Sequence, residues 1–390
     1  MSTGVATFRS DADLLGATGL DMRALLAVAR DRGASDLHVT VGRPPILRVD
    51  GNMVALEVRP LTSADMRILL YSILSNQQRS QYEIDREIDF ALMLEDNTRF
   101  RVNAYYQKGR MAASLRAIPT RIPTAEELGL GPSILDLGSR PHGLLLVVGP
   151  TGSGKSTTMA CLIDRINRSR ACRIMTVEDP IEYTHEGVLS TVDQREVFAD
   201  TKSFAAALKY VLRQDPDVIL VGEMRDLETI GAAITAAETG HLVLATLHTN
   251  DAISAVDRII DVFPAYQQPQ VRSQLAAALA GVVSQRLLPK AGGGRVGAFE
   301  VLVATPAIRT LIRDNKLHQA ISMMETSSIE GMVTMDRALI ELFVKGAITY
   351  EEAARYVRSP KALNDARQAL LARQAMAAPL PPMPAKPAGR

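Results

Sequence analysis

The segment GPTGSGKST, residues 149–157, concentrates residue types that handle phosphate. It fits the pattern G-x-x-x-x-G-K-[ST] at Gly149, Gly154, Lys155 and Ser156. The apolar run LLLVV precedes it and the helical stretch TMACLIDRINR follows. Glycines let successive backbone N–H groups curl around phosphate oxygens at the positive end of a helix. Lys155 is placed to reach the β- and γ-phosphates, and Ser156 to ligate Mg²⁺. Gly149, Pro150, Thr151, Gly152, Ser153, Gly154, Lys155, Ser156 and Thr157 are therefore the expected cradle for a nucleoside triphosphate. The strand–loop–helix setting separates this match from a chance glycine-rich turn.

Three further apolar runs end in side chains suited to the same chemistry. RIMTV leads into Glu178 and Asp179, with Glu182 beyond Pro180; DVILVG leads into Glu223; LVLATL leads into His248 and Thr249. Taken singly, each acidic end also fits a solvated strand terminus or a helix cap. Together they matter, because ligands of open α/β sheets bind at the carboxyl ends of the strands. The sequence has six histidines, and His241 and His248 flank one short apolar run. A strand rises about 3.3 Å per residue, so the pair would stand about 23 Å apart and could not share a metal. His248 falls at the carboxyl end, on the γ-phosphate side, where a sensor role suits it better than a base, since hydrolysis needs mainly a positioned water and charge compensation. His241 falls at the far end.

The elements that must position these residues follow from pattern and composition. At 390 residues two domains are expected, and 47% hydrophobic content supports a sizeable core. Residues 1–20 read as a flexible arm. From Asp21 to Pro119, amphipathic helices alternate with strands such as SDLHVTV, where Leu37, Val39 and Val41 face one way and Asp36, His38 and Thr40 the other. That texture predicts a small α+β domain with an antiparallel sheet. Residues 120–143, dense in Pro and Gly, read as a linker carrying short helices. From 144 the strands become continuously apolar, as in a parallel sheet buried on both faces, and alternate with helices. Beyond Val303 the pattern turns helical to 357, and 358–390 reads as a Pro-rich disordered tail.

Charge and cysteine content narrow the class. Lys plus Arg total 44 against 43 Asp plus Glu, a net +1, without the basic excess usual in nucleic-acid proteins. The two cysteines, Cys161 and Cys172, form neither a CxxC pair nor a disulfide framework. The N-terminus does not have the form of a signal peptide, and no apolar run reaches the ~18 residues of a membrane span. A soluble, intracellular protein is expected.

The motifs together resemble those of the secretion-ATPase superfamily, the motors of type II secretion and type IV pili. GPTGSGKST is similar to its Walker A, TVEDPIEY to its Asp box, VILVGEMRD to its Walker B and GHLVLATLHTND to its His box, in the same order and spacing over about residues 21–357. GASDLHVTVGRPP and TPAIRTLIRDNK resemble the pilus retraction (PilT-type) branch, the second with Thr310 and Asp314 as departures from the branch's signature. The resemblance implies a PAS-like N-terminal domain followed by a RecA-like P-loop ATPase domain with a helical C-terminal region. It implies ATP and Mg²⁺ as cofactors, Glu178 as general base, Glu223 as support for Mg²⁺ through water, and both histidines in the His box. Arg101 and Arg116 match the arginines that approach the phosphates; Arg195, Arg213 and Arg225 merely sit beside motifs. It further implies a homohexamer whose nucleotide sites lie between the two domains and are completed by a neighbour. The expected activity is ATP hydrolysis powering pilus retraction and twitching motility, at the inner face of the cytoplasmic membrane. There the partners would be an inner-membrane platform protein and other pilus ATPases, without nucleic acid and without a membrane span.

Rival readings make different demands. An ABC-type subunit needs a signature such as LSGGQ, which is absent. A nucleic-acid translocase on the same core predicts basic channel loops. Pilus assembly and type II secretion ATPases, the nearest alternative, usually carry a long extra N-terminal region and often a four-cysteine zinc motif.

Overall fold

A computed structural model describes residues 21–49, 51–96, 98–119, 121–326 and 331–377, and the chain divides into two units at Arg121/Ile122. The proposed arm, 1–20, lies outside the described residues.

The first unit runs α1 (Met22–Asp31), β1 (Asp36–Thr40), β2 (Ile46–Val49), β3 (Asn52–Ala55), α2 (Ser63–Tyr71), α3 (Asn76–Asp85), β4 (Glu87–Met93), β5 (Arg99–Gln107) and β6 (Arg110–Ala117). Its helices start where the sequence supplies caps. Asp21 caps α1, and the pairs Thr62/Asp65 and Ser75/Gln78 form capping boxes on α2 and α3. The strands form one antiparallel sheet in the order β3-β2-β1-β6-β5-β4. Leu37, Val39, Leu47, Val102 and Leu115 turn to one side and meet Leu25, Leu26, Leu69 and Leu70 in a single core. The other side carries most of the sheet's polar residues, among them Asp36, His38, Arg48, Arg101, Asn103 and Arg116, as the alternation in SDLHVTV predicts. Two elements are missing from the sequence reading. All four residues of β3 are exposed, so no apolar period marks it, and α3 buries only Tyr82.

The second unit opens with two short helices, α4 (Ala125–Leu128) and α5 (Pro132–Gly138). Its strands are β7 (Gly143–Val148), β8 (Arg173–Glu178), β9 (Thr191–Glu196), β10 (Val218–Val221), β11 (Leu242–Leu247), β12 (Leu279–Pro289) and β13 (Arg295–Val303). Between them run α6 (Lys155–Ser169), α7 (Phe204–Val211), α8 (Leu227–Glu238), α9 (Ala252–Asp261) and α10 (Gln268–Ala278). The sheet order is β13-β12-β7-β11-β10-β8-β9, parallel throughout except for the antiparallel β12–β13 pair. Every residue of β7, β10 and β11 is buried. Leu144, Leu146 and Val148 enter one core while Leu145 and Val147 enter another, which is why the run LLLVV shows no alternation.

After β13 come α11 (Pro306–Arg313), a 3₁₀ turn, α12 (Ala320–Thr326), α13 (Met335–Val344), α14 (Tyr350–Ala354) and α15 (Pro360–Ala377). In α11, the Arg309 guanidinium donates to the carbonyls of Ala276, Ala277, Leu279 and Ala304. It thereby holds the carbonyl end of α10 and its turn into β12. The helix α15 corrects the expectation of a disordered tail from residue 358. Leu363 is buried with Leu288, Leu339 and Ile348, and Tyr350 bonds Asn364 (2.6 Å), so tertiary packing orders a segment whose composition alone suggested none. The Pro-rich residues 378–390 lie outside the described residues. Among the described residues no helix is long and apolar enough to cross a membrane.

Candidate nucleotide and hydrolysis site

The loop 149–154 joins the end of β7 to the start of α6 and runs close against β12. A Cβ on Gly149 would collide with the Gln285 carbonyl oxygen, and one on Gly154 would stand 2.9 Å from Gln285 Nε2. Gly154 also takes φ +88, a conformation that L side chains rarely adopt. Gln285 itself is buried, and its Oε1 accepts from Thr158 Oγ1 (2.7 Å), so β12 grips α6 directly behind the loop. Lys155 is buried, 8% exposed as a residue, and its ammonium donates to the carbonyls of Gly149 (2.8 Å) and Pro150 (3.1 Å). Burial lowers its pKa, against the pull of Glu223 and Glu182.

The loop borders a cavity of about 570 Å³ whose lining includes Lys155, Ser156, Thr157, Glu178, Glu223 and His248. Four strand ends thus deliver their side chains to one crevice, as the sheet rule requires.

The two glutamates are treated differently. Burial pushes the Glu178 carboxyl above its ordinary range, and hydrogen bonds from Thr176 and Gln194 oppose that shift. Thr176 Oγ1 donates at 2.7 Å and Gln194 Nε2 at 3.1 Å. Thr176 and Gln194 are facing residues of the β8–β9 ladder, which brings both to the same carboxylate. The backbone N–H of His185 donates to Gln194 Oε1 (2.8 Å), so the amide nitrogen must be the side facing Glu178. For Glu223 burial also acts upward, but Arg225 and His248 outweigh it and hold the carboxyl below its ordinary range. Arg225 grips it with two nitrogens, at 2.6 and 2.7 Å. Environments that push two carboxylates apart mark a division of labour, one suited to accept a proton and one to stay charged.

His248 stands between the machinery's charges. Its Nδ1 is 3.5 Å from Lys155 Nζ and its Nε2 is 3.3 Å from Glu223 Oε1. At the other end of β11, His241 Nδ1 bonds the Ala236 carbonyl (2.9 Å) in the last turn of α8. His241 is thus a helix-end residue. Among the described residues no cluster of three metal-ligating side chains occurs.

Arg101 and Arg116 belong to the first unit, at facing positions of β5 and β6 on its polar side. They continue a row with Arg48 and Asp36 across β2 and β1. Arg116 Nε meets Asp36 at 2.8 Å and Arg101 Nε lies 3.9 Å from Asp89, yet the two side chains remain 72% and 50% exposed. Like charges placed directly opposite cost stability, so a row of this kind needs the flanking aspartates.

Sequence reasoning passed over Thr176, Gln194, Thr158 and Gln285. The only available signal was polarity inside apolar runs, since Thr176 sits in RIMTV and Gln285 follows GVVS.

The family model described as type II/IV secretion system protein matches residues 19–355. The type IV pilus retractation ATPase PilT of Pseudomonas aeruginosa is 47% identical over 342 residues, covering 88% of this chain and 99% of that protein. A twitching motility protein of Neisseria gonorrhoeae is 46% identical over 322 residues, 82% of this chain and 86% of its own. Among solved structures, the pilus retraction motor PilT with bound ADP superposes with a TM-score of 0.83 at 48% identity, covering 89% of this chain and 99% of that one.

Proposed function

The chain belongs to the type II/IV secretion system protein family, and from that premise we propose that it is an ATP-hydrolysing motor that powers type IV pilus retraction. The observation that carries the reading is the convergence of Lys155, Glu178, Glu223 and His248 on one cavity at the ends of four strands. ATP binds with its phosphates in the loop 149–157. Lys155 supplies positive charge to the transferring phosphoryl group. Glu178, with its raised proton affinity, takes the proton of the attacking water. Thr176 and Gln194 hold it to that task. His248, between Lys155 and Glu223, reports the state of the γ-phosphate.

Ser156 and Glu223 suit Mg²⁺: a hydroxyl and a carboxylate kept ionised, hard oxygen donors on one cavity. Ser156 would ligate the ion directly and Glu223 through water. When bound, the ion neutralises charge developing on the phosphate oxygens. Arg101 and Arg116, solvent-facing on the first unit, serve as the phosphate-contacting arginines of an assembled ring of six subunits. The ring works at the inner face of the cytoplasmic membrane through a platform protein, alongside other pilus ATPases.

Deletion of the gene followed by imaging of surface pili tests the direction of work. Accumulated, non-retracting pili are the expected result, and a bald surface would mark an assembly motor instead. Purified protein should hydrolyse ATP, and the Lys155→Ala variant should not.

A further inference from the structure

The run AFEVLV in β13 holds one acid, Glu300, in the middle of an apolar strand. Glu300 is 6% exposed and does not line the nucleotide cavity. Its two oxygens serve different parts of the unit. One accepts the N–H of Ala252 (2.8 Å), the first residue of α9; the other accepts the N–H of Met335 (3.2 Å), the first residue of α13. Burial raises its pKa, and these two backbone bonds act in the opposite sense.

Ala252 lies four residues beyond His248, so Glu300 fixes the far end of the loop that carries the histidine. Neighbouring contacts do the same. Ser284 Oγ donates to the Asn250 carbonyl (3.1 Å), and Asp251, while capping α9, pairs with Arg358 at 2.9 Å. Arg358 is tied back to α13, because its backbone N–H and that of Ser359 both donate to Asp336 at 2.8 Å. The same strand also bridges to the segment before α13 through Val301 and Val333. Residues 250–252, directly after His248 and Thr249, are therefore anchored by β12, β13 and the helices after residue 334.

We propose that Glu300 is a positioning residue for ATP hydrolysis, clamping the His248 loop to the C-terminal helices so that their placement sets the place of His248 beside Lys155 and Glu223. The proposal rests on the ATPase reading of the nucleotide site. It also gives the C-terminal helices a route to the hydrolysis step: a displacement of α13 reaches Ala252 through a single carboxylate, and His248 four residues before it.

The test uses full-length protein and the substitution Glu300→Gln, which keeps the side chain's shape but leaves one backbone N–H facing an amide nitrogen. The expected result is a kcat lowered about ten- to a hundredfold, the scale of a slightly misplaced catalytic group. The KM for ATP should stay within about twofold, as for an interaction felt after binding. A fold-stabilising role alone would not divide kcat from KM in this way. The effect should also vanish in a His248→Ala background, because residues acting as one unit are non-additive. Arg358→Ala, which loosens the same loop from its other side, should act in the same direction and show the same dependence on His248. It decides the matter if Glu300→Gln does not fold. Wild-type kcat in a folded Glu300→Gln protein overturns the proposal. So does an undiminished effect in the His248→Ala background, or a His248→Ala protein with wild-type kcat. Wild-type turnover is measured first: its absence would remove the ATPase reading and this inference with it, whereas its presence confines any later failure to the clamp.

Discussion

The two sheets place their chemistry in different ways. In the first unit it lies on a face: Arg48, Asp36, Arg116 and Arg101 form a row across four strands, over a core on the opposite side. In the second unit both faces of the central strands are buried, and the chemistry sits at strand ends. A face depends on register, since a slip by one residue would turn Arg101 and Arg116 into the core. An end depends on where a strand stops and on the residue that comes next. The first arrangement spreads charge over a broad surface; the second concentrates it in a crevice where burial can tune proton affinity.

The sharpest way to break this contrast is Lys155→Ala, which should abolish measurable ATP turnover without unfolding the second unit. Near-normal turnover would remove the strand-end site altogether. Next come the face residues. Arg101→Ala or Arg116→Ala should slow hydrolysis by about 10³–10⁵ if they stabilise transition-state charge. If the proposed ring forms, wild-type activity should rise with protein concentration, and a fully active isolated monomer would leave the face without a catalytic part. Glu178→Gln should lose about 10²–10⁴ in rate while ATP binding persists. If Glu223→Gln is instead the variant that binds ATP but cannot hydrolyse it, the two ends have exchanged roles.

A finer test concerns tuning. Removing the Thr176 hydroxyl with Thr176→Val deletes a hydrogen bond that lowers the Glu178 pKa, so that pKa should rise further. Because the base must be ionised, the acid limb of the kcat/KM profile should move to higher pH while the alkaline plateau stays. A limb that does not move would mean that Glu178 is not the titrating base. The smallest effect separates the two histidines. His241→Ala should cost about 1 kcal/mol of stability, the worth of one hydrogen bond, and leave turnover intact. His248→Ala should lower turnover more than binding.

What the sequence shows and what it conceals divide along the same line. The phosphate loop, Glu178, Glu223 and His248 are legible because each comes directly after a continuous apolar run, which marks a strand and its end together. Their supporting residues are not. Thr176 and Gln194 meet only through the register of β8 and β9, and Gln285 reaches Thr158 across 127 positions of sequence. Nothing local announces such pairings. Glu300 is an intermediate case, an acid whose oddity inside AFEVLV is visible but whose two partners are not. The helix α15 escaped because composition near a Pro-rich end suggests disorder, while its order comes from contacts made by Leu363 and Asn364.

The edge strand β9 has a consequence for how the molecule behaves in a crowded solution. Among the described residues its stretch TVDQRE pairs with β8 on one side only, and an unpaired strand edge is a template for adding a stranger's strand. Here that edge is polar at every position but Val192, with Asp193 further engaged by Arg173 (2.9 Å). Charged edges resist sheet-to-sheet aggregation. The strand that holds Glu178 through Gln194 therefore also keeps the sheet from growing. Apolar substitutions along β9 should be penalised twice, in turnover and in solubility, so the purified yield of such variants is as informative as their rate.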